Sequence, residues 1–139
     1  MTALPNAAPT AAPIARAPMM LVLRVLLLAE AAAGLALTIL ISMLAGDTAD
    51  AGAETSLRFA AGAAFLFAIF AAVASRGVRR RRLWAWTLGA ILQVLLAIGV
   101  GVAVMTAGWH PAYLVGFGFA AVVMIVLSIG SVRRALGQD

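Results

Sequence analysis

The sequence has no cysteine and a single histidine, His110. Without thiols the chain cannot form a disulfide, a thiolate metal site or a cysteine nucleophile. One histidine also cannot supply the paired ligands of a histidine metal site. We find no nucleophile placed beside a base and no glycine-rich phosphate loop in the sequence. We therefore predict no metal, no cofactor and no catalytic residue, and we expect the chain not to be an enzyme.

Charge is scarce as well. Only 11% of the 139 residues are charged, whereas soluble domains contain about 25%. Hydrophobic residues make up 65% of the chain, and its mean hydropathy is +1.09. The net charge is +5, with ten arginines and no lysine. Because these charges flank apolar runs, we expect the partners to be the lipid bilayer and its anionic headgroups, and not nucleic acid.

Four long apolar runs follow a proline-rich beginning. Proline recurs through residues 1–18 and predicts a disordered cytoplasmic tail. Each apolar run is close to the length of about 20 residues that crosses a bilayer. The first is longer than the apolar core of a cleaved signal peptide, so we expect it to remain as a span. The sequence thus predicts an all-α membrane protein, a four-helix transmembrane bundle over residues 19–134, with a short tail at 135–139. The predicted spans are residues 19–45, 57–75, 83–107 and 112–132.

The distribution of arginine predicts the orientation of this bundle. Nine of the ten arginines flank span ends on one side, and only Arg58 flanks the other side. Short arginine-rich segments stay in the cytoplasm. We therefore predict a multi-pass protein of the cytoplasmic membrane with both termini inside (N-in/C-in). The arginines expected to set this topology and to contact anionic lipid headgroups at the inner face are Arg76, Arg79, Arg80, Arg81, Arg82, Arg133 and Arg134.

Glu30 is the one acidic residue inside an apolar run. It lies ten residues from the inner edge of its span, about 15 Å deep and close to the middle of the membrane. A carboxylate there is costly unless it is neutral, paired or hydrated. Steps of four residues from Glu30 lead to Thr38 on the same helix face, which should point into the bundle. Gln93 lies at the same expected depth, so Glu30, Gln93 and Thr38 form a candidate intramembrane polar site.

This candidate site leaves two functions open. In the first, a protonated Glu30 bonds to Gln93 and holds helices together, and the chain is a structural or accessory subunit that contacts another membrane protein or a second copy. In the second, Glu30 serves a small proton-coupled transporter. Small multidrug exporters also have four short spans with a glutamate in the first, and Ala29-Glu30 is similar to theirs. The absence of a second ionisable residue near the depth of Glu30 favours the structural role.

The third apolar run carries a row of small residues. Spaced four apart, they predict a helix face on which another helix packs closely. Trp84 and Trp86 stand at the inner boundary, where aromatic side chains anchor a span. The row consists of Ala85, Gly89, Gln93, Ala97 and Gly101.

Two short segments carry a family resemblance. Arg82-Leu83-Trp84-Ala85-Trp86 precedes Gln93 and a leucine-rich run, and the fourth run closes with Ser131-Val132-Arg133-Arg134-Ala135-Leu136. Together with the arginine-rich second loop, these segments resemble small four-span integral membrane proteins common in actinobacteria. The resemblance covers roughly residues 20–136, the membrane-embedded part. It implies the same four-span fold, but that family has no assigned activity and so implies no functional residue.

Overall fold

A computed structural model describes residues 16–137, and this part of the chain contains helices and no strand. Three helices are long and apolar enough to cross a membrane, and the fourth is a shorter apolar helix of 17 residues. The predicted all-helical fold is therefore confirmed for the described residues, and the apolar helices fit a membrane protein. The first fifteen residues of the predicted tail lie outside the described residues, as do residues 138 and 139. The helices are α1 (Arg16–Gly46), α2 (Ala51–Arg79), α3 (Leu83–Ala107), α4 (Ala112–Ser128) and α5 (Gly130–Ala135).

Helices α1 to α4 form two hairpins. Helices α1 and α2 pack against each other along their length, and α3 and α4 form a less extensive pair. Contacts of α2 with α3 and of α1 with α4 join the hairpins, so α1 and α3 occupy opposite corners of the bundle. We call the end that holds the beginning of α1, the α2–α3 turn and α5 the arginine end.

The core shared by the two hairpins lies near the arginine end. On α3 the last buried residue is Gln93, and on α4 the first is Ala120. Every described side chain in residues 94–106 and 112–119 is at least partly exposed. The two hairpins therefore share little packing in the half of the bundle away from the arginine end.

Helices α1 and α2 approach closely at Gly34. A Cβ added to Gly34 would lie 3.1 Å from the Cβ of Ala68 and 3.3 Å from the backbone oxygen of Ala64. Small residues at such positions let two backbones come together, which is a main source of helix association in membranes. Gly34 thus allows α1 and α2 to pack closely at this point.

The first helix begins earlier than predicted. It starts at Arg16, so residues 16–18 are helical and the predicted tail is too long by three residues. Pro18 does not prevent this, because it lies in the first turn, where a backbone N–H needs no helical partner.

Helix α2 extends beyond the predicted span of residues 57–75 at both ends. At its start, Oδ1 of Asp50 accepts a hydrogen bond from the Gly52 amide at 2.9 Å and caps the helix. At its end, the helix continues through Arg79. Arginine has a high helix propensity and is favoured near the negative end of the helix dipole. The predicted arginine-rich loop is therefore helical in its first four residues, and only Arg80–Arg82 form the turn.

Gly77 makes this short turn possible. A Cβ on Gly77 would lie 2.6 Å from the Trp84 ring and 2.8 Å from the Cβ of Ala85. The Gly77 carbonyl also accepts hydrogen bonds from the amides of Arg80 and Arg82, both at 3.1 Å. The beginning of α3 therefore packs directly on the backbone of α2.

The predicted fourth span of residues 112–132 is interrupted. Helix α4 ends at Ser128, and Ile129 adopts an extended conformation with ψ of 124° before α5 begins at Gly130. Val132 and Leu136 then pack into the main core, each 1% exposed. The predicted short tail of residues 135–139 therefore includes one core residue, because Leu136 directly follows α5 and is buried.

Trp86 is partly buried and packs against the core. Its Nε1 donates a hydrogen bond to the backbone oxygen of Leu127 at 3.0 Å. That carbonyl lies in the last turn of α4, where no helical N–H is available to it. Trp86, in the first turn of α3, therefore links α3 to α4, a role that the boundary position alone did not predict. Trp84 is 46% exposed.

The predicted small-residue face of α3 is packed only in the first half of the helix. Ala85, Gly89 and Gln93 are buried, but Ala97 and Gly101 are partly exposed. A Cβ on Gly89 would lie 3.5 Å from the Leu127 side chain, whereas one on Gly101 would meet nothing within 4 Å. The physical reason is that the second half of α3 lies beyond the shared core.

Candidate intramembrane polar site

Glu30 on α1 and Gln93 on α3 lie in direct contact. The Nε2 group of Gln93 donates to both carboxyl oxygens of Glu30, at 2.8 Å to Oε1 and 3.0 Å to Oε2. Glu30 is 5% exposed and Gln93 is 1% exposed, so apolar packing closes over the pair. In a low-dielectric surrounding, a hydrogen bond of this kind is strengthened and leaving either partner unpaired is costly.

This contact crosses the middle of the bundle. Because α1 and α3 stand at opposite corners, their backbones approach each other much less than those of neighbouring helices. The two side chains are long enough to bridge the distance, where a pair of small residues would not. The pair therefore links the two hairpins near the limit of their shared core.

Gln93 has a further hydrogen-bonding group. Its Oε1 is buried and finds no partner within residues 16–137. A buried acceptor without a donor is unfavourable. A carboxylate cannot supply a donor, but a protonated carboxyl group has one O–H to give. Rotation about the terminal torsion of Gln93, which is a soft torsion, would let a neutral Glu30 and Gln93 exchange two hydrogen bonds.

Thr38 does not join this pair. Its Oγ1 donates to the Gly34 carbonyl at 2.8 Å, so its hydrogen bond stays within α1. It also lies eight residues beyond Glu30, about 12 Å along the helix axis. Thr38 instead lines a groove between α1 and α2 together with Ser42 and Phe65.

All seven arginines predicted to face lipid headgroups are exposed. They lie at the arginine end, on the last turns of α2, on the turn that follows and on α5. Within residues 16–137 the one ion pair is at the other end of the bundle, where Arg58 contacts Glu54 at 2.6 Å. The arginine end thus presents a dense positive charge with no carboxylate paired to it in the described part of the chain.

One polar cavity was not foreseen from the sequence. It measures about 240 Å³ and lies between α1 and α2 at the arginine end. Arg24, Arg76 and Arg79 line it with the buried side chain of Ser75. The spacing of Ser75, Arg76 and Arg79 places them on one side of α2. This spacing is the one feature of the sequence that indicates the cavity. That Arg24 faces them from α1 depends on how the two helices pack, which the spacing does not specify.

Comparisons with protein-family models, with curated proteins and with solved structures gave no match. The resemblance to actinobacterial four-span proteins therefore stays a prediction.

Proposed function

We propose that this chain is a small non-catalytic integral membrane protein that acts as a structural or accessory subunit. The observation that supports this best is the buried contact between Glu30 and Gln93, which links α1 to α3 across the bundle. Polar side chains that bond across helices are a general means of fixing membrane bundles. Here the pair holds the two hairpins in one arrangement, so that the protein offers a fixed surface to a membrane partner or a second copy.

We further propose four spans with both termini in the cytoplasm, in a cytoplasmic membrane. The one-sided distribution of arginine supports this orientation. Helix α4 has 17 residues, about 25 Å of helix, which is at the short end of the range for a span. Arg133 and Arg134 on α5 are exposed and suited to the headgroup region where α4 ends.

A structural role fits the surroundings of Glu30 better than proton transfer. The apolar runs contain no other Asp, Glu, His or Arg near its depth. A proton relay through a membrane usually contains several such groups. Glu30 is also almost completely buried. A carboxyl group that couples transport to proton movement must be accessible to water from at least one side of the membrane.

A second candidate function is a small proton-coupled transporter that uses Glu30. Two observations favour it: the pair lies where the shared core ends, and the buried Oε1 of Gln93 has no donor among residues 16–137. If the α3–α4 hairpin swung away from α1–α2, Glu30 would become accessible and could release a proton.

Proton release from proteoliposomes distinguishes the two functions. The purified chain is exposed to a panel of organic cations, and released protons are measured for the wild type and for Glu30→Gln. Under the structural proposal, neither protein releases protons on addition of a cation. Release by the wild type that Glu30→Gln abolishes would establish the transporter, because an amide has no proton to give.

The subunit role needs its own experiment. The chain is cross-linked in native membranes and extracted in mild detergent, and the mass of the complex is measured. We expect a defined complex with another membrane protein or with a second copy. A species with the mass of one chain across cross-linker lengths and detergents would contradict a subunit role.

A further inference from the structure

The polar cavity at the arginine end has the charge of an anion site. Arg24 approaches from α1, and Arg76 and Arg79 approach from α2. No carboxylate within residues 16–137 pairs with any of the three, since the ion pair found there is that of Arg58 and Glu54. Three guanidinium groups around one cavity repel each other unless an anion lies between them. Guanidinium groups bind phosphate by paired hydrogen bonds.

An apolar groove continues from this cavity along the same two helices. It measures about 310 Å³ and shares Ala72 with the polar cavity. On α1 its lining extends to Leu35, eleven residues from Arg24 and about 16 Å along the axis. Half of a hydrocarbon core about 30 Å thick measures about 15 Å. The combined length of cavity and groove therefore matches one leaflet.

We propose that the cavity and the groove together bind one anionic phospholipid. The headgroup phosphate lies among Arg24, Arg76 and Arg79, and the Ser75 hydroxyl provides a further donor. One acyl chain lies in the groove against α1 and α2. This inference concerns a bound lipid at a defined place and does not rest on the subunit role. It adds Arg24 and Ser75, which the arginine distribution alone did not assign to lipid contact.

Lipid binding to the full chain in neutral detergent tests the headgroup part of the site. Native mass spectrometry measures retained phosphatidylglycerol, with phosphatidylcholine as the neutral comparison. We expect phosphatidylglycerol to be preferred. Arg24→Gln and Arg76→Gln should each weaken its binding about fivefold, the fold-change that corresponds to about 1 kcal/mol for one basic residue near an anionic lipid surface. The controls Arg80→Gln and Arg133→Gln remove the same charge from the arginine end but outside the cavity. Because these two arginines contact headgroups only generally, their variants should weaken binding clearly less.

A second set of variants tests the groove. Ala72→Leu adds bulk to the wall that the cavity and the groove share, without changing charge, and should weaken phosphatidylglycerol binding. Val73→Leu, at the next position on α2 and outside both linings, should not. Inorganic phosphate should fail to displace the lipid, because it lacks an acyl chain.

Three results would overturn the proposal. Equal losses in all four arginine variants would indicate general surface attraction and no defined site. Equal binding of phosphatidylglycerol and phosphatidylcholine would show that the cavity does not select an anion. Displacement of phosphatidylglycerol by inorganic phosphate, together with unchanged lipid binding by Ala72→Leu, would indicate a phosphate site that holds no acyl chain. The melting temperature of each variant without added lipid verifies that it is folded.

Discussion

Gln93 donates one amide group to both carboxyl oxygens of Glu30, at 2.8 Å and 3.0 Å, while its own Oε1 has no donor among residues 16–137. Both side chains are buried. A neutral carboxyl group would supply the donor that Oε1 lacks, so the pair could then exchange two hydrogen bonds. The arrangement thus favours a protonated Glu30 that binds α1 to α3.

The protonation state of Glu30 can be measured by infrared spectroscopy. At neutral pH we expect the carbonyl band of a protonated carboxylic acid in the wild type, because a charged carboxylate at this depth would be costly. Glu30→Gln should remove that band. Glu54→Gln, which removes the exposed carboxylate paired with Arg58, should retain it. A wild-type spectrum with carboxylate bands alone would contradict a neutral Glu30.

Close packing of α1 on α2 predicts a contrast between two glycines. Gly34→Leu should lower the free energy of unfolding by about 1–3 kcal/mol, the usual cost of overpacking, because a Cβ there already meets Ala68 at 3.1 Å. A Cβ on Gly62 would meet nothing within 4 Å. Gly62→Leu should therefore raise the free energy of unfolding by up to about 1 kcal/mol, because leucine has the higher helix propensity. Denaturant titration of the detergent-solubilised variants measures both. Equal losses at the two positions would show that the α1–α2 contact is not where we place it.

The proposed orientation predicts the outcome of reporter fusions. Fusions after Arg81 and at the carboxyl terminus should both report the cytoplasm, and one after Thr48, between α1 and α2, should report the opposite side. The fusion follows the exposed Arg81 because an insertion at the end of α2 would disturb the contact between Gly77 and Trp84. A non-cytoplasmic signal after Arg81 would reverse the whole assignment, since that turn holds the largest concentration of arginine.

The contact between Glu30 and Gln93 could be anticipated from the sequence for a simple reason. Each is the one long polar side chain deep inside its apolar run, since Arg24 lies near the end of the first run, and each lies at a similar distance from the arginine-rich boundary. Polar groups in hydrocarbon are stabilised by hydrogen bonds to each other. The matched depth of Glu30 and Gln93 in the membrane was therefore sufficient to suggest a contact. Thr38 shares a helix face with Glu30, but its short hydroxyl was satisfied by the Gly34 carbonyl of its own helix.

The position of the core could not be anticipated. In a membrane protein, lipid and protein interior are equally apolar, so hydrophobic residues give no contrast between a packed face and an exposed one. Gly89 and Gly101 therefore look alike in the sequence, although only Gly89 has a side chain beside it. The hydrogen bond from Trp86 to Leu127 also depends on the end of α4 at Ser128, and the apolar run gave no sign of that interruption.

The coupling between Glu30 and Gln93 is the most direct test of the account. A double-mutant cycle compares the free energies of unfolding of Glu30→Leu, Gln93→Leu and the double variant. We expect each single variant to be destabilised, and the double variant to be no less stable than the worse single one, because removing both partners leaves no stranded polar group. The expected coupling is about 0.6–1.7 kcal/mol, the range for hydrogen bonds between membrane helices. Strictly additive losses, with no coupling, would contradict the claim that this contact holds the bundle together.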